Sequence, residues 1–348
     1  MINNANKIHV KASKEYDVLI GNNLIYQVGK LIKEVISPCK VAVITDDKVD
    51  ALYGDIVVNS VKNCGFTVVK FVFPNGEESK NLNTYGEILN FLAENQLTRT
   101  DAIIALGGGV VGDISGFVSA TFLRGIKYIQ IPTTLLAQID SSVGGKTAVD
   151  LKAGKNLVGA FCQPSMVICD IEVLNTLPDE IFDDGMGETA KYALLDEKVY
   201  ELINGDDMIL SRLVYLCVDY KRRVVEDDEF ESGKRKLLNL GHTPAHGIER
   251  LSNYSIPHGK AVAMGLNIIL NASFKHGYIN EETYSKMKQT VEKCAGKRHS
   301  PYLIEDICKA SLTDKKRSGD SVSIVTVHGV GDCRIEKINV SDMAEFLR

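Results

Sequence analysis

Short apolar runs alternate with helical spacing through the first half of the chain, and this alternation constrains the fold more than any other feature. Runs that predict buried strands lie at 40–45, 66–73, 101–106 and 128–131, and residues 83–95 have helical spacing. Strands that alternate with helices form βαβ units, which assemble into parallel sheets. The sequence therefore predicts an α/β N-terminal domain with a parallel, Rossmann-like sheet.

The second half has a different pattern, in which long helices dominate. The predicted helices lie at 185–195, 199–226, 259–277 and 280–295. Two strand-like runs, 321–328 and 331–338, predict a late hairpin. The change of pattern, together with the length of 348 residues, predicts two domains, an α/β domain at 1–175 and a mainly α-helical C-terminal domain at 176–348.

Charge, hydropathy and cysteine usage exclude several classes of function. The net charge is −5 and there is no long basic run, so we expect no nucleic-acid partner, because neutralising phosphates needs clustered Lys and Arg. No run reaches the roughly 18 apolar residues of a membrane span, and residues 1–10 lack the apolar core of a secretory signal. The eight scattered cysteines contain no CxxC pair and are typical of reduced thiols. We therefore expect a cytoplasmic protein with no membrane contact.

A glycine-rich turn follows the third predicted strand. Residues 107–112 carry the pattern G-x-G-x-x-G, and a predicted helix follows at 113–120. Such glycines let the backbone approach a pyrophosphate, and the helix N-terminus offers free N–H groups. Gln130 stands near the place of the usual acid about 20 residues further on, so Asp46 is the candidate for the ribose hydroxyls instead. The alternative is a plain tight turn between strand and helix.

A polar stretch at 131–147 suits an anionic ligand, because it combines hydroxyls, amides and the ammonium of Lys146 on a glycine-permissive backbone. Residues 144–147 superficially resemble a P-loop, but the full spacing needs a glycine where Asp140 stands, so that interpretation fails. A little further on, Lys155 and Asn156 add a second ammonium and an amide. The alternative is a solvated loop.

Three of the seven histidines lie close together in sequence. His242 and His246 share a face if their segment is helical, and His258 starts the next predicted helix. Glu188 lies on the predicted helix at 185–195. Two imidazoles and a carboxylate with one open position make a catalytic zinc site, but four candidates compete for three places and spacing alone cannot choose. The alternative is a set of ordinary surface or core histidines.

Taken together, these segments resemble the 3-dehydroquinate synthase family from about residue 40 to about residue 330. The segments that carry the resemblance, in this order, are LGGGVVGDISGF, RGIKYIQIPTTLLAQIDSSVGGKTAVD, GKNLVGAF, LLNLGHTPAH and IPHG. The resemblance implies a homodimeric lyase of the shikimate pathway of aromatic amino acid biosynthesis. It also implies NAD and Zn²⁺ or Co²⁺ as cofactors, with NAD bound by the first domain and the metal and substrate by the second.

The resemblance implies a role for individual residues as well. The implied metal ligands are Glu188, His242 and His258. The implied NAD contacts are Asp46, Glu77, Lys80, Gly108, Gly109, Val110, Asp113, Thr133, Thr134, Lys155 and Thr176. The implied catalytic and substrate contacts are Asp140, Lys146, Asn156, Lys191, Lys221, Arg235, Asn239, His246 and one of Lys315 and Lys316. Arg124 matches an arginine that reaches the active site of the neighbouring subunit.

The chain departs from the family pattern at a few positions. Lys48 stands where the family often has Asn, which affects one ribose contact. Residues 186–191 read MGETAK where MAEVIK is frequent, with the Glu and the Lys retained. Pro244 and Ala245 replace a common Gly before the second histidine, and the proline, which lacks an N–H donor, is expected to alter the local helix.

The implied substrate is 3-deoxy-D-arabino-heptulosonate 7-phosphate, a small sugar phosphate. In the implied reaction a hydride leaves C5 transiently, phosphate is eliminated from C7, the hydride returns, and an aldol closure gives 3-dehydroquinate. Three rival functions stay open: another sugar-phosphate cyclase of the same superfamily, a metal-dependent polyol dehydrogenase, and a non-enzymatic nucleotide-binding module.

Overall fold

The computed structural model describes residues 5–312 and 320–348 of the chain. The chain divides into two compact units. The first is Met1–Leu177 with Lys221–Glu229, and the second is Pro178–Tyr220 with Phe230–Arg348. The assignment of NAD binding to 1–175 and of metal and substrate binding to 176–348 stays a prediction.

The first unit is built on a seven-stranded sheet. The strands of this unit are β1 (Ala5–Val10), β2 (Tyr16–Gly21), β3 (Lys40–Asp46), β4 (Thr67–Phe73), β5 (Ala102–Gly107), β6 (Lys127–Pro132), β7 (Lys146–Leu151), β8 (Gly154–Phe161) and β9 (Met166–Asp170). The sheet has the order β1-β2-β9-β6-β5-β3-β4, and every pair in it is parallel except β1 with β2. The predicted parallel sheet is confirmed, and all four predicted strands belong to it.

Helices cover both faces of this sheet. They are α1 (Val28–Ile32), α2 (Asp47–Val49), α3 (Asp55–Lys62), α4 (Leu82–Glu94) and α5 (Gly109–Thr121). Alternate residues of a strand point to opposite faces, so Val41 and Val43 pack into one core and Ala42 and Ile44 into the other. Residues of α1 and α3 complete the first core, and residues of α4 and α5 complete the second. Burial on both faces explains why the strands read as continuous apolar runs.

The strand order reverses between β3 and β5. From β3 the chain crosses to β4 on one side and then to β5 on the other. Thr45 pairs with Leu106, and Gly107 pairs with Pro132, so the carboxyl ends of β3, β5 and β6 lie side by side. Open α/β sheets bind their ligands outside the carboxyl ends of the strands at such a reversal. We call the residues at this place, Asp46, 107–109 and Thr133, the switch-point edge.

The polar stretch around Lys146 is largely regular structure, unlike the solvated loop that was the alternative interpretation. A short π-helical turn, Ala137–Ser141, precedes β7, and β7 pairs with β8 as an antiparallel hairpin outside the main sheet. The sequence did not predict this hairpin, because glycines and polar residues mask a weak alternation. Within that alternation, Val149 and Val158 pack into the same core as α4 and α5.

The second unit is mainly helical, as predicted. Its helices are α6 (Asp179–Leu195), α7 (Glu197–Asn204), α8 (Leu210–Asp227, whose last residues belong to the first unit), α9 (His242–Leu251), α10 (His258–Lys275), α11 (Glu281–Ala295), α12 (Ile304–Ser311) and α13 (Met343–Leu347). The predicted hairpin is present as β10 (Ser321–Gly329) and β11 (Asp332–Asn339). The single helix predicted at 199–226 is wrong, because Gly205 and the two aspartates after it disfavour helix and separate α7 from α8.

Two expectations from the sequence concern reduced cysteines and the absence of a membrane span. None of the eight cysteines, all of which lie in the described part of the chain, forms a disulfide. Over residues 5–312 and 320–348, no helix combines the length and the apolar character that crossing a bilayer requires.

Candidate active site

The switch-point edge presents an uncapped helix N-terminus. Helix α5 begins at Gly109, four residues earlier than predicted, and no side chain caps it. The first N–H groups of a helix lack partners within the helix, so this terminus offers donors to an anion. A Cβ at Gly107 would lie 2.4 Å from a methyl of Val111, and one at Gly108 would lie 3.0 Å from a methyl of Thr134. The glycines are therefore needed for the chain to pass from β5 into α5 here.

Asp46 has a structural role of its own in the same place. It is buried at the end of β3, and its Oδ1 accepts hydrogen bonds of 3.0 Å from the backbone N–H groups of Lys48 and Val49. It thereby caps α2. Burial raises the pKa of the Asp46 carboxyl, although those two N–H donors oppose the shift. The contribution of Lys48 here is its backbone N–H, which does not depend on the side chain that departs from the family pattern.

Three predicted residues meet in one polar cluster beside α5, in which Lys80 is buried, Asp113 is half-buried and Asn156 is exposed. The Lys80 ammonium lies 2.6 Å from an Asp113 carboxylate oxygen and donates a 2.6 Å hydrogen bond to the Asn156 amide oxygen. Burial would lower the pKa of Lys80, but the neighbouring carboxylates, Asp113 foremost, raise it above its usual value. Asn156 has a φ of 53°, a left-handed conformation that Asn tolerates better than most residues. The cluster thus joins two predicted NAD contacts to one predicted substrate contact.

The remaining predicted residues of the first unit are more dispersed. Lys221 donates to the Asp140 carbonyl at 2.6 Å and is ion-paired with the Asp140 carboxylate, so these two form a second pair. The Lys155 ammonium lies 3.7 Å from a Glu77 oxygen. Val110 lies in the first turn of α5, and exposed Lys146 lies at the start of β7. The Thr134 hydroxyl accepts a hydrogen bond from the backbone N–H of Ala137, and the Thr176 hydroxyl is hydrogen-bonded to the Tyr53 hydroxyl.

Arg124 lies in a strained turn after α5. Leu123, Arg124 and Gly125 have φ values of 52°, 67° and 119° in succession, a left-handed run that costs free energy at each residue other than glycine. The Arg124 side chain is exposed. That exposure is compatible with the predicted contact to a neighbouring subunit.

In the second unit the structure brings Glu188, His242 and His258 together, and we call these three residues the metal triad. The Nε2 atoms of His242 and His258 lie 3.3 and 3.0 Å from the same Glu188 oxygen, Oε1. One donor atom from each residue lies within 4.8 Å of the other two. Among the described residues no other such group of His, Cys, Asp or Glu occurs. Of the four candidates that spacing left open, the geometry groups these three.

Close backbone contacts between helices hold the metal triad in place. Glu188 lies on α6, whereas His242 and His258 begin α9 and α10. A Cβ at Gly187 would lie 2.1 Å from the carbonyl oxygen of Gly259, so α6 and α10 touch backbone to backbone beside two of the ligands. Gly241, directly before His242, has a φ of 77° that a side chain would strain. Glycines next to the ligands therefore set the distances between them.

Hydrogen bonds at the outer ring nitrogens orient both imidazoles. His242 Nδ1 lies 3.1 Å from the Leu240 carbonyl oxygen, and His258 Nδ1 lies 3.3 Å from a Glu249 carboxylate oxygen. Each Nε2 is thereby turned toward Glu188. Metal-bound histidines characteristically donate their other N–H to a carbonyl or a carboxylate in this way. Two imidazole nitrogens and one carboxylate oxygen fit a zinc-type divalent cation with an open position.

The electrostatics of the metal triad prepare two of its three ligands for a cation, whereas the third, His258, must lose a proton when the cation binds. Burial would raise the pKa of Glu188, but the Lys191 ammonium, 2.6 Å away, and His242 hold it well below its usual range. Burial lowers the pKa of His242 to about 4. Burial would also lower the pKa of His258, but the carboxylates of Glu188 and Glu249 raise it to about 10. An ionised carboxylate and a neutral imidazole are thus already in the forms that bind metal.

Further predicted residues lie on α6, on α9 and on a 3₁₀ turn, Lys234–Asn239, that precedes α9. The ring centroid of His246 is 5.7 Å from that of His242, one turn along α9. Asn239 donates a 2.9 Å hydrogen bond to Glu231. Lys191 and Arg235 are each only 1% exposed, which is unusual for cations unless they are paired or serve a site. Lys315 and Lys316 lie outside the described residues.

Two carboxylates near the metal triad were missed by sequence reasoning. Glu249 follows His242 by seven residues, a spacing that places both on one face of α9. Asp184 precedes Glu188 by four residues, and its Oδ1 accepts hydrogen bonds from the backbone N–H groups of Gly259 (2.7 Å) and Lys260 (3.2 Å) at the start of α10. Helical spacing from a candidate ligand was the signal that could have found them.

Pro244 does not disturb the helix that carries two of the histidines. Helix α9 begins at His242, so Pro244 is its third residue, and the helix continues to Leu251. N–H groups in the first turn have no acceptor within the helix, so the donor that proline lacks is one that the helix does not use.

An α/β unit with a parallel sheet followed by a mainly helical unit defines a fold class to which solved synthases also belong. The structure of 2-deoxy-scyllo-inosose synthase complexed with carbaglucose-6-phosphate, NAD⁺ and Co²⁺ matches with a TM-score of 0.87 at 24% identity, covering 99% of both chains. ValA, the 2-epi-5-epi-valiolone synthase from Streptomyces hygroscopicus subsp. jinggangensis 5008 with NAD⁺ and Zn²⁺ bound, matches with a TM-score of 0.86 at 22% identity, covering 97% of this chain and 98% of that one. At these identities the two matches establish the fold alone.

Sequence comparison narrows this class to one family. The family model described as 3-dehydroquinate synthase N-terminal matches residues 70–184, and the one described as 3-dehydroquinate synthase C-terminal matches residues 185–317. The 3-dehydroquinate synthase of Streptococcus suis (strain 05ZYH33) is 41% identical over 343 residues, which cover 96% of this chain and 97% of that protein. The chain belongs to the 3-dehydroquinate synthase family.

Proposed function

We propose that this chain converts 3-deoxy-D-arabino-heptulosonate 7-phosphate to 3-dehydroquinate and inorganic phosphate, as a phosphate-eliminating cyclase of the shikimate pathway. The observation that carries the proposal is the metal triad, held by oriented imidazoles in a chain that matches 3-dehydroquinate synthases over nearly its whole length. The rival functions differ from it in what they release, which makes the proposal testable.

NAD is the proposed organic cofactor, and the switch-point edge is its proposed site. The uncapped N-terminus of α5 suits the pyrophosphate, with Gly108, Gly109 and Val110 at closest approach. The Asp46 oxygen that does not cap α2 would accept a hydrogen bond from a ribose hydroxyl. The other proposed contacts are Glu77, Lys80, Asp113, Thr133, Thr134, Lys155 and Thr176. Bound NAD supplies a reversible acceptor for the hydride at C5.

Zn²⁺ or Co²⁺ is the proposed metal, held by Glu188, His242 and His258. A divalent cation in this position supplies Lewis acidity toward the oxygens of the sugar. Lys191 keeps the Glu188 carboxylate ionised, and Leu240 and Glu249 hold the two rings in the orientation that binding requires. The contribution of the chain is therefore a site that is already organised before the ion arrives.

The proposed substrate contacts match the charges of a phosphorylated sugar acid. Arg124, Lys146, Asn156 and His246 are proposed for the phosphate. Arg235 and Lys221 are proposed for the carboxylate and hydroxyls, with Lys191, Asn239 and Asp140 as further contacts. The ion pair between Asp140 and Lys221 supports this, because a carboxylate holds the ammonium in one orientation before substrate binds.

We further propose a cytoplasmic homodimer in which Arg124 reaches the active site of the partner. The exposure of Arg124 in a left-handed turn supports this, since such strain is retained where a side chain must be presented in one direction. Residues 1–175 would bind NAD, and residues 176–348 would bind the metal and most of the substrate.

One assay tests the proposed reaction. The chain, loaded with Zn²⁺, is mixed with the heptulosonate phosphate and an amount of NAD far below that of the substrate, and inorganic phosphate and NADH absorbance are followed together. We expect many phosphates released per NAD with no net NADH, and no release by the His258→Ala variant. NADH that accumulates until the added NAD is used up, without release of phosphate, would identify a polyol dehydrogenase. Phosphate released from a hexose 6-phosphate but not from the heptulosonate would identify another cyclase.

A further inference from the structure

We infer that Glu249 is a positioning residue that fixes the tautomer and the orientation of the His258 ring and thereby sets the affinity of the metal triad for its ion. The inference rests on the proposed function in one respect, that the triad binds a divalent cation. Glu249 does not itself belong to the triad, because its nearest carboxylate oxygen faces Nδ1 of His258, the nitrogen on the side away from Glu188.

The position of Glu249 follows from helical geometry. His242, His246 and Glu249 are spaced by four and three residues on α9, so their side chains lie along one face of the helix. His258 comes from a different helix, α10. Glu249 therefore reaches across from the helix of one ligand to the ring of the other. The Glu249 residue is 4% exposed, so the carboxylate acts in a place that water hardly screens.

The His258 ring is held between two carboxylates. Its Nε2 lies 3.0 Å from Glu188 and its Nδ1 lies 3.3 Å from Glu249. Metal binding requires the His258 ring to lose one of its two protons; with the remaining proton on Nδ1 donated to Glu249, Nε2 becomes the nitrogen with a lone pair for the metal. A ring with no acceptor at Nδ1 could adopt the other tautomer or turn about χ2, and either change removes a ligand.

The two imidazoles of the triad are not equivalent. The partner of His242 Nδ1 is the neutral backbone carbonyl of Leu240, whereas the partner of His258 Nδ1 is a carboxylate. A carboxylate partner increases the basicity of the ring more than a carbonyl does, because it stabilises positive charge on the imidazole. His258 should therefore be the stronger donor, and its strength should depend on a residue that substitution can change.

The test measures Co²⁺ affinity in the metal-free full-length chain by the visible absorption of the bound ion, with no NAD or sugar phosphate present. Three variants are compared with the parent: Glu249→Gln, Glu249→Ala and the control Asp196→Asn. Asp196 is a buried carboxylate of the same unit that caps α7, a helix that carries no ligand of the triad, and Asn keeps that cap. Thermal melting curves establish that each variant is folded.

We expect the Kd for Co²⁺ to rise about 10- to 100-fold in Glu249→Ala, as is usual for loss of a residue that orients a metal ligand. Glu249→Gln keeps an acceptor oxygen without the charge, so its Kd should rise less and its Co²⁺ absorption bands should shift. Asp196→Asn should bind as the parent does. If Glu249→Ala fails to fold, Glu249→Gln alone decides the matter.

Kd values within about twofold of the parent in the folded Glu249 variants would overturn the inference. An equal rise in Asp196→Asn would also overturn it, since the effect would then come from loss of a buried charge anywhere in the unit. A parent chain that binds one Co²⁺ but releases no phosphate in the enzymatic assay would overturn the proposed reaction and leave the role of Glu249 standing.

Discussion

The switch-point edge in the first unit is made mostly of backbone, whereas the metal triad in the second unit is made of side chains. The edge exists because three parallel strands end side by side and a helix starts there without a cap. The triad exists because glycines let backbones touch and outer hydrogen bonds aim two rings at one carboxylate. A single substitution should therefore damage the triad more than the edge, and the following experiments test this difference.

The largest effect is expected from the triad itself. Glu188→Gln or His258→Ala should lose the metal and lower kcat/KM by about 10³-fold or more, since a Lewis acid contributes several kcal/mol to catalysis. Both variants should stay folded, because the site is small compared with the core of its unit. Metal analysis, phosphate release and circular dichroism make the three measurements. Full zinc occupancy with normal rates in both variants would refute the ligand assignment.

The next largest effect should come from the cluster of Lys80, Asp113 and Asn156 in the first unit, because it contains a buried ammonium. Lys80→Met leaves the Asp113 carboxylate without its ammonium, which should lower the free energy of unfolding by about 3 kcal/mol. NAD affinity should fall with it. The matched control is Lys155→Met, whose ammonium lies 3.7 Å from Glu77 in a more exposed pair and should change stability by less than about 1 kcal/mol. Urea unfolding that gives equal losses for the two would contradict the distinction.

A smaller effect should follow from separating the helices that carry two of the ligands. In Gly187→Ala the new methyl would meet the Gly259 carbonyl at 2.1 Å, so α6 and α10 must move apart at a cost of about 1–3 kcal/mol. Zinc retention should fall as well, because these helices carry Glu188 and His258. The control is Gly86→Ala on α4, where nothing lies within 4 Å and the helix should gain about 0.5–1 kcal/mol. Unchanged zinc content in Gly187→Ala would count against backbone contact as the spacer of the ligands.

The smallest effect should separate two roles of Asp46. Asn caps helices as well as Asp does, so Asp46→Asn should leave the free energy of unfolding nearly unchanged, whereas Asp46→Ala should lower it by about 1 kcal/mol. If Asp46 also accepts a ribose hydroxyl, Asp46→Asn should weaken NAD binding about tenfold, the usual value of a hydrogen bond to a charged group. Calorimetric titration with NAD gives the measurement. Equal NAD affinity in Asp46→Asn and the parent would leave Asp46 with the structural role alone.

Much of the fold and part of the site could be predicted from the sequence. Strands β3 to β6 are largely apolar on both faces. Their apolar runs can therefore be recognised without knowing which strands lie beside them in the sheet. The hairpin of β7 and β8 was missed because its stability comes from packing against α4 and α5, which no local pattern records. The break between α7 and α8 was missed because amphipathic spacing continues on both sides of Gly205.

The sequence by itself determined strands β3 to β6, the long helices α6, α10 and α11, the glycine turn and the set of four possible metal ligands, because these depend on residues close together in the chain. Only the tertiary structure decided that Glu188, His242 and His258 share one point, that Lys80 joins Asp113 to Asn156, and that Glu249 holds His258. Those contacts join residues on different helices and strands. Their geometry depends on how closely two backbones approach, which glycine packing sets and linear spacing does not record.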